Sequence, residues 1–214
     1  PLTAIAFFML TGELMTSATI TDRLVALSRA LIGRIRGGLA QVNVLVSMFF
    51  AGMNGSVVAD TATVGALVLP AMKKAGYPAA FSAAVTGVSS TIGGIIPPSI
   101  MMIVLANSTE ISIAALFAAG IIPGILIGVV IMIINHYFAV KYNFERSDEP
   151  FSIRRAGKEL YRSSFALLIP LVLVGSVMGG VASVVEAGAI TAMVALLTGV
   201  FVYRTIKWKE CTGA

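Results

Sequence analysis

The sequence predicts an all-α membrane protein: multi-pass helices with a re-entrant helical hairpin and a broken transmembrane helix. Three observations predict it. The 214 residues are 57% apolar and only 12% charged, with a mean hydropathy of +0.95. A soluble domain carries about 25% charged residues. Asp, Glu, Lys and Arg are absent from 37–59, 61–72, 75–109, 111–140, 163–185 and 187–203. The basic residues fall between these runs in four groups, so charge marks the ends of the membrane segments.

The first group is Arg23, Arg29, Arg34 and Arg36. It lies in "ITDRLVALSRALIGRIR" (20–36), where Ile20, Leu24, Leu27, Leu31 and Ile35 recur at helical spacing. That pattern predicts an amphipathic helix at the cytoplasmic interface, behind a short membrane segment. The chain opens on Pro1 with no basic stretch before an apolar one, so its start reads as a cut into a longer chain and not as a signal peptide.

The run 37–72, taken across Asp60, far exceeds the roughly 20 residues of one crossing. It is basic at both ends, with Lys73 and Lys74 closing it. If basic loops stay inside, both ends are cytoplasmic and the segment turns back at its glycine-rich middle, Asn54–Gly55–Ser56. The run 75–109 is as long but has Glu110 at its far end, so it crosses. Its "SSTIGGIIPPS" (89–99) predicts a break, because glycine and proline pairs disrupt a helix.

A helix over 111–138 returns to the third group: Lys141, Arg146, Arg154, Arg155, Lys158 and Arg162. Residues 139–164 read as a cytoplasmic linker with a second amphipathic helix inside 150–164. Residues 165–214 read as two scaffold helices around an outer turn at Glu186, ending at Arg204, Lys207 and Lys209. Every basic residue then lies on the cytoplasmic side, which explains the net charge of +5 without nucleic acid.

Broken backbone at membrane depth survives only where protein buries it or it lines a cavity, and two interrupted segments point to a transporter site. Half-helix C-termini aim carbonyls at a cation, and half-helix N-termini aim amides at an anion. Asp60 lies one turn beyond Ser56, as a direct cation ligand or as a charge that orients the loop. The competing reading of Gly, Ser and Thr here is close helix packing.

Other chemistry is poorly supported. Only Asp60 is a deep carboxylate, and His136 lies near a helix end, so neither type of intramembrane protease is formed. One His and one distant cysteine, Cys211, build neither a metal site nor a disulfide. The chain reads as a non-enzyme without cofactors. A passive channel and a purely structural subunit are the remaining rivals.

These stretches resemble the large membrane subunit of the TRAP (tripartite ATP-independent periplasmic) transporters. The matching segments are "GELM" (12–15), "ALIGRIRGGLAQVNVLVSMFFAGMNGSVVADTATVGALVLPAMKKAGY" (30–77), "SSTIGGIIPPSIMMIV" (89–104) and "LFAAGIIPGILIG" (116–128). "ADTATVGALVLP" is similar, more distantly, to the divalent-anion sodium symporters. The loop "VASVVEAG" departs from the family's Thr-Pro-Thr-Glu pattern, and Asn54 stands where Ser or Gly is usual.

The resemblance implies the first half of an inverted-repeat, elevator-type transporter in the bacterial inner membrane. Its expected function is sodium-coupled uptake of a small organic anion such as a carboxylate. A periplasmic binding protein would deliver the substrate, and a small membrane subunit would brace the scaffold. A carrier without a binding protein is the alternative. The sodium and adjacent substrate site would use Asn54, Gly55, Ser56 and Asp60 from the hairpin. The broken helix would add Ser89, Ser90, Thr91, Gly93 and Gly94.

Overall fold

A computed structural model describes residues 2–17, 20–32, 35–144 and 152–203. The expectations for Arg34, Arg146, Arg204, Lys207, Lys209 and Cys211 lie outside the described residues. The described chain is all helix and turn. Helices α1 (Leu2–Ser17) and α2 (Ile20–Ile32) lead into α3 (Gly38–Asn54) and α4 (Val57–Lys74). Helix α5 (Ala79–Ser90) runs into a 3₁₀ turn, Thr91–Gly94, and α6 (Ile100–Thr109) resumes after the break. Then come α7 (Ile113–Lys141), α8 (Ile153–Met178) and α9 (Val184–Leu197), the last continued by a π turn, Thr198–Val202.

Three of these are long and apolar enough to cross a membrane: Ile113–Lys141, Ile153–Met178 and Val184–Val202. With the all-helical fold, they make this a multi-pass membrane protein. At 1.5 Å per residue, α3 is only about 25 Å long and α6 about 15 Å, too short to span a hydrocarbon core of about 30 Å alone. Helices α3 and α4 instead pack on each other across the two-residue break at Gly55–Ser56, and both pack on α5.

The break works because glycine tolerates a positive φ. Gly55 adopts φ 60° and its N–H returns to the Ala51 carbonyl, ending α3. Ser56 then starts α4 by accepting from the Ala59 N–H. The second break closes in the same way: Ser99 starts α6 by accepting from Met102 N–H and donates to the Gly94 carbonyl at 2.8 Å. Gly120 and Gly124 on α7 make room for this break, since a Cβ on either would collide with Ile95 or Ile96.

The amphipathic stripe of 20–36 is divided in the structure. Ile20, Leu24 and Leu27 are buried where α2 packs on α3 and α8, whereas Leu31 and Ile35 are exposed. The α2–α8 contact is fixed by Ser163 donating to the Arg23 carbonyl at 3.2 Å. The Arg23 guanidinium sits 5.7 Å from the Tyr203 ring centroid, and the Tyr203 hydroxyl donates to the Arg162 carbonyl. The separate amphipathic helix expected inside 150–164 does not form. Residues from Ile153 are the exposed first turns of α8 itself, so the scaffold helix begins earlier than 165. Ser152 caps that start, and Pro170 does not end the helix.

At the opposite end, Phe8, Ile103, Phe117, Leu173 and Ala187 form a second apolar cluster. Glu186 lies at this end in a capping box. Ser183 accepts from Glu186 N–H, and the Glu186 carboxylate accepts from Ser183 N–H at 2.7 Å. The reciprocal pair satisfies two backbone donors at the start of α9. Ser183→Ala should therefore lower stability by about 1 kcal/mol, as loss of an N-cap typically does. Thermal unfolding of the purified protein measures it.

Candidate functional site

The two breaks meet. The Ile100 N–H donates to the Gly55 carbonyl at 3.2 Å, joining the hairpin tip to the start of α6. Gly93 and Gly94 lie against Ser56 and Val57, where an added Cβ would stand 3.7 Å from Ser56 backbone and 3.4 Å from the Val57 side chain. Asn54 folds over the tip and accepts from Ser56 N–H at 3.1 Å. Helices α1 and α8 close round it. Gly12 of α1 abuts Asn54 so tightly that a Cβ would be 2.7 Å from the Asn54 Cβ, and Gly52 faces Pro170 of α8.

Asp60 lies one turn inside α4 and is fully buried. The hydroxyls of Ser90 and Ser47 are its polar neighbours, and among the described residues no cationic side chain pairs with either carboxylate oxygen. Its side chain points away from bulk solvent and into the seam between α3, α4 and α5. A buried carboxylate in such a setting carries a large desolvation cost unless a cation or proton joins it.

The seam holds a polar network. Asn43 Nδ2 donates to Thr86 Oγ1 at 2.7 Å, and Ser89 Oγ donates to Asn43 Oδ1 at 3.2 Å. Ser47 and Ser89 share a hydrogen bond of 3.2 Å, and Ser90 donates to the Thr86 carbonyl at 2.8 Å. All five residues are at most 3% exposed, so this network is closed to water.

The fold thus brings Asn54, Gly55, Ser56, Asp60, Ser89, Ser90, Gly93 and Gly94 into one region, where the α3–α4 hairpin meets the end of α5 and its 3₁₀ turn. Thr91 departs from the set. It is exposed, and its hydroxyl turns back to the Val88 carbonyl at 2.7 Å. The sequence reading missed Asn43, Ser47 and Thr86. Their signal was spacing: Asn43 and Ser47 are one turn apart on α3, and Ser82, Thr86, Ser89 and Ser90 share a face of α5. Among the described residues no cluster of His, Cys, Asp and Glu is suited to a metal ion such as zinc, and His136 is exposed. The arrangement offers hard oxygen donors instead, which suit an alkali cation.

Known proteins are similar to this chain in sequence. The family model "Tripartite ATP-independent periplasmic transporter, DctM component" matches residues 1–214. The C4-dicarboxylate TRAP transporter large permease protein of Pseudomonas aeruginosa is 36% identical over 98% of this chain and 49% of its own length. The sialic acid TRAP transporter permease of Haemophilus influenzae is 37% identical over 98% of this chain and 34% of its own. The 2,3-diketo-L-gulonate TRAP transporter large permease of Escherichia coli is 37% identical over 100% of this chain and 51% of its own. The chain spans about half the length, or less, of these relatives. A match over every residue, carried by an all-helical fold in which two broken segments meet, places the chain in the DctM component family of tripartite ATP-independent periplasmic transporters.

Proposed function

We propose that this chain forms part of a sodium-coupled transporter that takes up a small organic anion. The observation that carries the reading is Asp60: a fully buried carboxylate with no cationic side chain paired to it, beside two interrupted helices. Sodium is held by Asp60 with the serine oxygens and loop carbonyls around Asn54, Gly55, Ser56, Ser89, Ser90, Gly93 and Gly94. The anion sits against the same loops, where the N-termini of α4 and α6 open toward it. Thr91 contributes backbone only, because its hydroxyl is engaged at Val88.

The substrates named for these three relatives, C4-dicarboxylate, sialic acid and diketogulonate, are small carboxylates, and a fourth relative, from Oleidesulfovibrio alaskensis, is named for the sulfonate isethionate, which together support a small organic anion. A periplasmic binding protein delivers the substrate and a small membrane subunit completes the assembly. The protein resides in the bacterial inner membrane with its Lys- and Arg-rich loops cytoplasmic. The Ile100–Gly55 hydrogen bond joins the two loops, so they move as one body in an elevator-like step.

The test is uptake by the full-length, assembled transporter in liposomes. An inward sodium gradient should drive accumulation above equilibrium, and collapsing the gradient should abolish it. Equilibration that ignores the gradient would identify a channel and sink the proposal.

A further inference from the structure

Helices α4 and α7 end side by side and in the same way. Gly76 (φ 79°) and Asn143 (φ 51°) are both left-handed, and an aromatic residue follows each. Tyr77 N–H donates to the Met72 carbonyl at 3.1 Å, and Phe144 N–H donates to the Ala139 carbonyl at 3.0 Å. Gly76 N–H and Asn143 N–H donate to the Lys73 and Val140 carbonyls, which completes a Schellman closure on each helix. The two closing rings then meet, with the Tyr77 and Phe144 centroids 4.6 Å apart. Phe81 stands 5.1 Å from Phe144, and Tyr142 stacks on both Phe138 and Phe144 at 6.0 Å.

Four cations stand at this end. Lys73 and Lys74 occupy the last turn of α4, and Lys141 the last turn of α7. Arg36 precedes Gly37, where an added Cβ would overlap the Ala139 side chain. The Lys141 Nζ lies 5.7 Å from the Tyr142 ring centroid. All four are exposed, and among the described residues no carboxylate pairs with them. Basic residues are common at helix C-termini because they offset the carbonyl dipole. Here the Schellman closures already occupy the Met72, Lys73, Ala139 and Val140 carbonyls, so capping does not account for the cluster. The sequence that follows does not neutralise it, since residues 141–162 hold six basic and four acidic side chains.

The face of α7 that leads to Lys141 is apolar and exposed. Ile133, Tyr137 and Val140 recur there at helical spacing, on a helix long and apolar enough to cross a membrane. We infer that Arg36, Lys73, Lys74 and Lys141, with Tyr142 as their aromatic platform, bind the headgroup of an anionic phospholipid that bridges the hairpin and α7. Its acyl chains cover the exposed face of α7, and its phosphate supplies the negative charge that this end lacks. Anionic lipid of the cytoplasmic leaflet attracts basic segments in this way, and aromatic rings settle at headgroup depth. The inference rests on the cytoplasmic placement of this end and is independent of the sodium site.

The test follows Tm of the full-length, assembled transporter in neutral detergent as lipid is titrated into the micelles. The titrants are phosphatidylglycerol, phosphatidylcholine with the same acyl chains, and inorganic phosphate. Phosphatidylglycerol should raise Tm to a plateau, and the other two should not. Lys73→Gln and Lys141→Gln should each raise half-saturating phosphatidylglycerol by about fivefold, and together by about twentyfold, the usual loss per basic residue at an anionic surface. Arg154→Gln combined with Lys158→Gln removes the same charge from the exposed start of α8. That pair should shift the midpoint by about twofold at most, because its residues lie outside the aromatic cluster.

In phosphatidylcholine alone every variant should melt with the wild type, since the altered side chains are exposed. A merely structural role would lower that baseline and leave the phosphatidylglycerol midpoint unchanged, which would overturn the inference. No rise with phosphatidylglycerol, or an equal rise with phosphatidylcholine, would overturn it as well. An equal shift from the α8 pair would reduce the effect to diffuse surface charge, and a matching rise with inorganic phosphate would make the ligand a free anion. Either result would sink the lipid site. Sodium-driven uptake is measured separately, so failure of the sodium reading leaves this test intact.

Discussion

Asp60→Asn should raise the sodium concentration for half-maximal uptake by about ten- to hundredfold, because a charge-assisted contact is worth roughly 1.5–3 kcal/mol and each 1.4 kcal/mol is tenfold. The substitution keeps the shape of the side chain and removes the charge. It also supplies an N–H donor to the Ser47 and Ser90 hydroxyls that lie beside Asp60. Without sodium, the variant should therefore unfold at the wild-type temperature or above it, since an unpaired buried charge has been removed. Lower sodium affinity combined with undiminished Tm is the signature of a binding carboxylate. Glu186→Gln is the control, because its carboxylate caps α9 through Ser183 at the turn between α8 and α9. A wild-type sodium curve for Asp60→Asn would move the ion elsewhere and leave the loops as packing.

Gly55→Ala should destabilise the assembled protein by about 2–5 kcal/mol, the sum of a left-handed backbone penalty of about 1–2 kcal/mol and overpacking of about 1–3 kcal/mol. Gly55 has φ 60°, and a Cβ there would overlap the Pro98 carbonyl oxygen and stand 3.0 Å from Ser99 Cα. Both obstacles are backbone, so no side chain can rotate away. The same clash would break the Ile100–Gly55 hydrogen bond that joins the hairpin to α6. Gly76→Ala separates the two terms. Gly76 has φ 79° but no heavy atom within 4 Å of an added Cβ, so it should show only the left-handed penalty, about 1–2 kcal/mol. Thermal unfolding of both variants gives the comparison. Equal losses would mean that the hairpin tip and the second break are not in tight contact.

The sequence by itself determined the segmentation of the chain. Charge-free runs bounded by basic groups located the long helices, because charges are excluded from hydrocarbon. A glycine-rich turn located the first break and the glycine and proline pairs of 89–99 the second, since glycine readily takes the positive φ found at Gly55 and paired prolines remove two successive helix donors. The carboxylate of Asp60 was legible for the same reason that it is rare: ionisable groups inside a membrane seldom survive without a task.

The tertiary structure decided which surfaces those helices cover. Periodicity gives α2 an apolar face but does not say that Ile20, Leu24 and Leu27 bury it on α3 and α8 while Leu31 and Ile35 stay exposed. The same limit hid the continuity of α8 from Ile153, where a polar first stretch gave no sign of joining the apolar one. It also hid the roles of the hydroxyls. A serine or threonine in a helix can satisfy itself on a carbonyl one turn back, as Thr91 nearly does at Val88, or reach across to another helix, as Ser89 does to Asn43. Both choices are written with the same residues at the same spacing. Only the packing of α3 against α5 settles which hydroxyls meet and which of them stand beside Asp60.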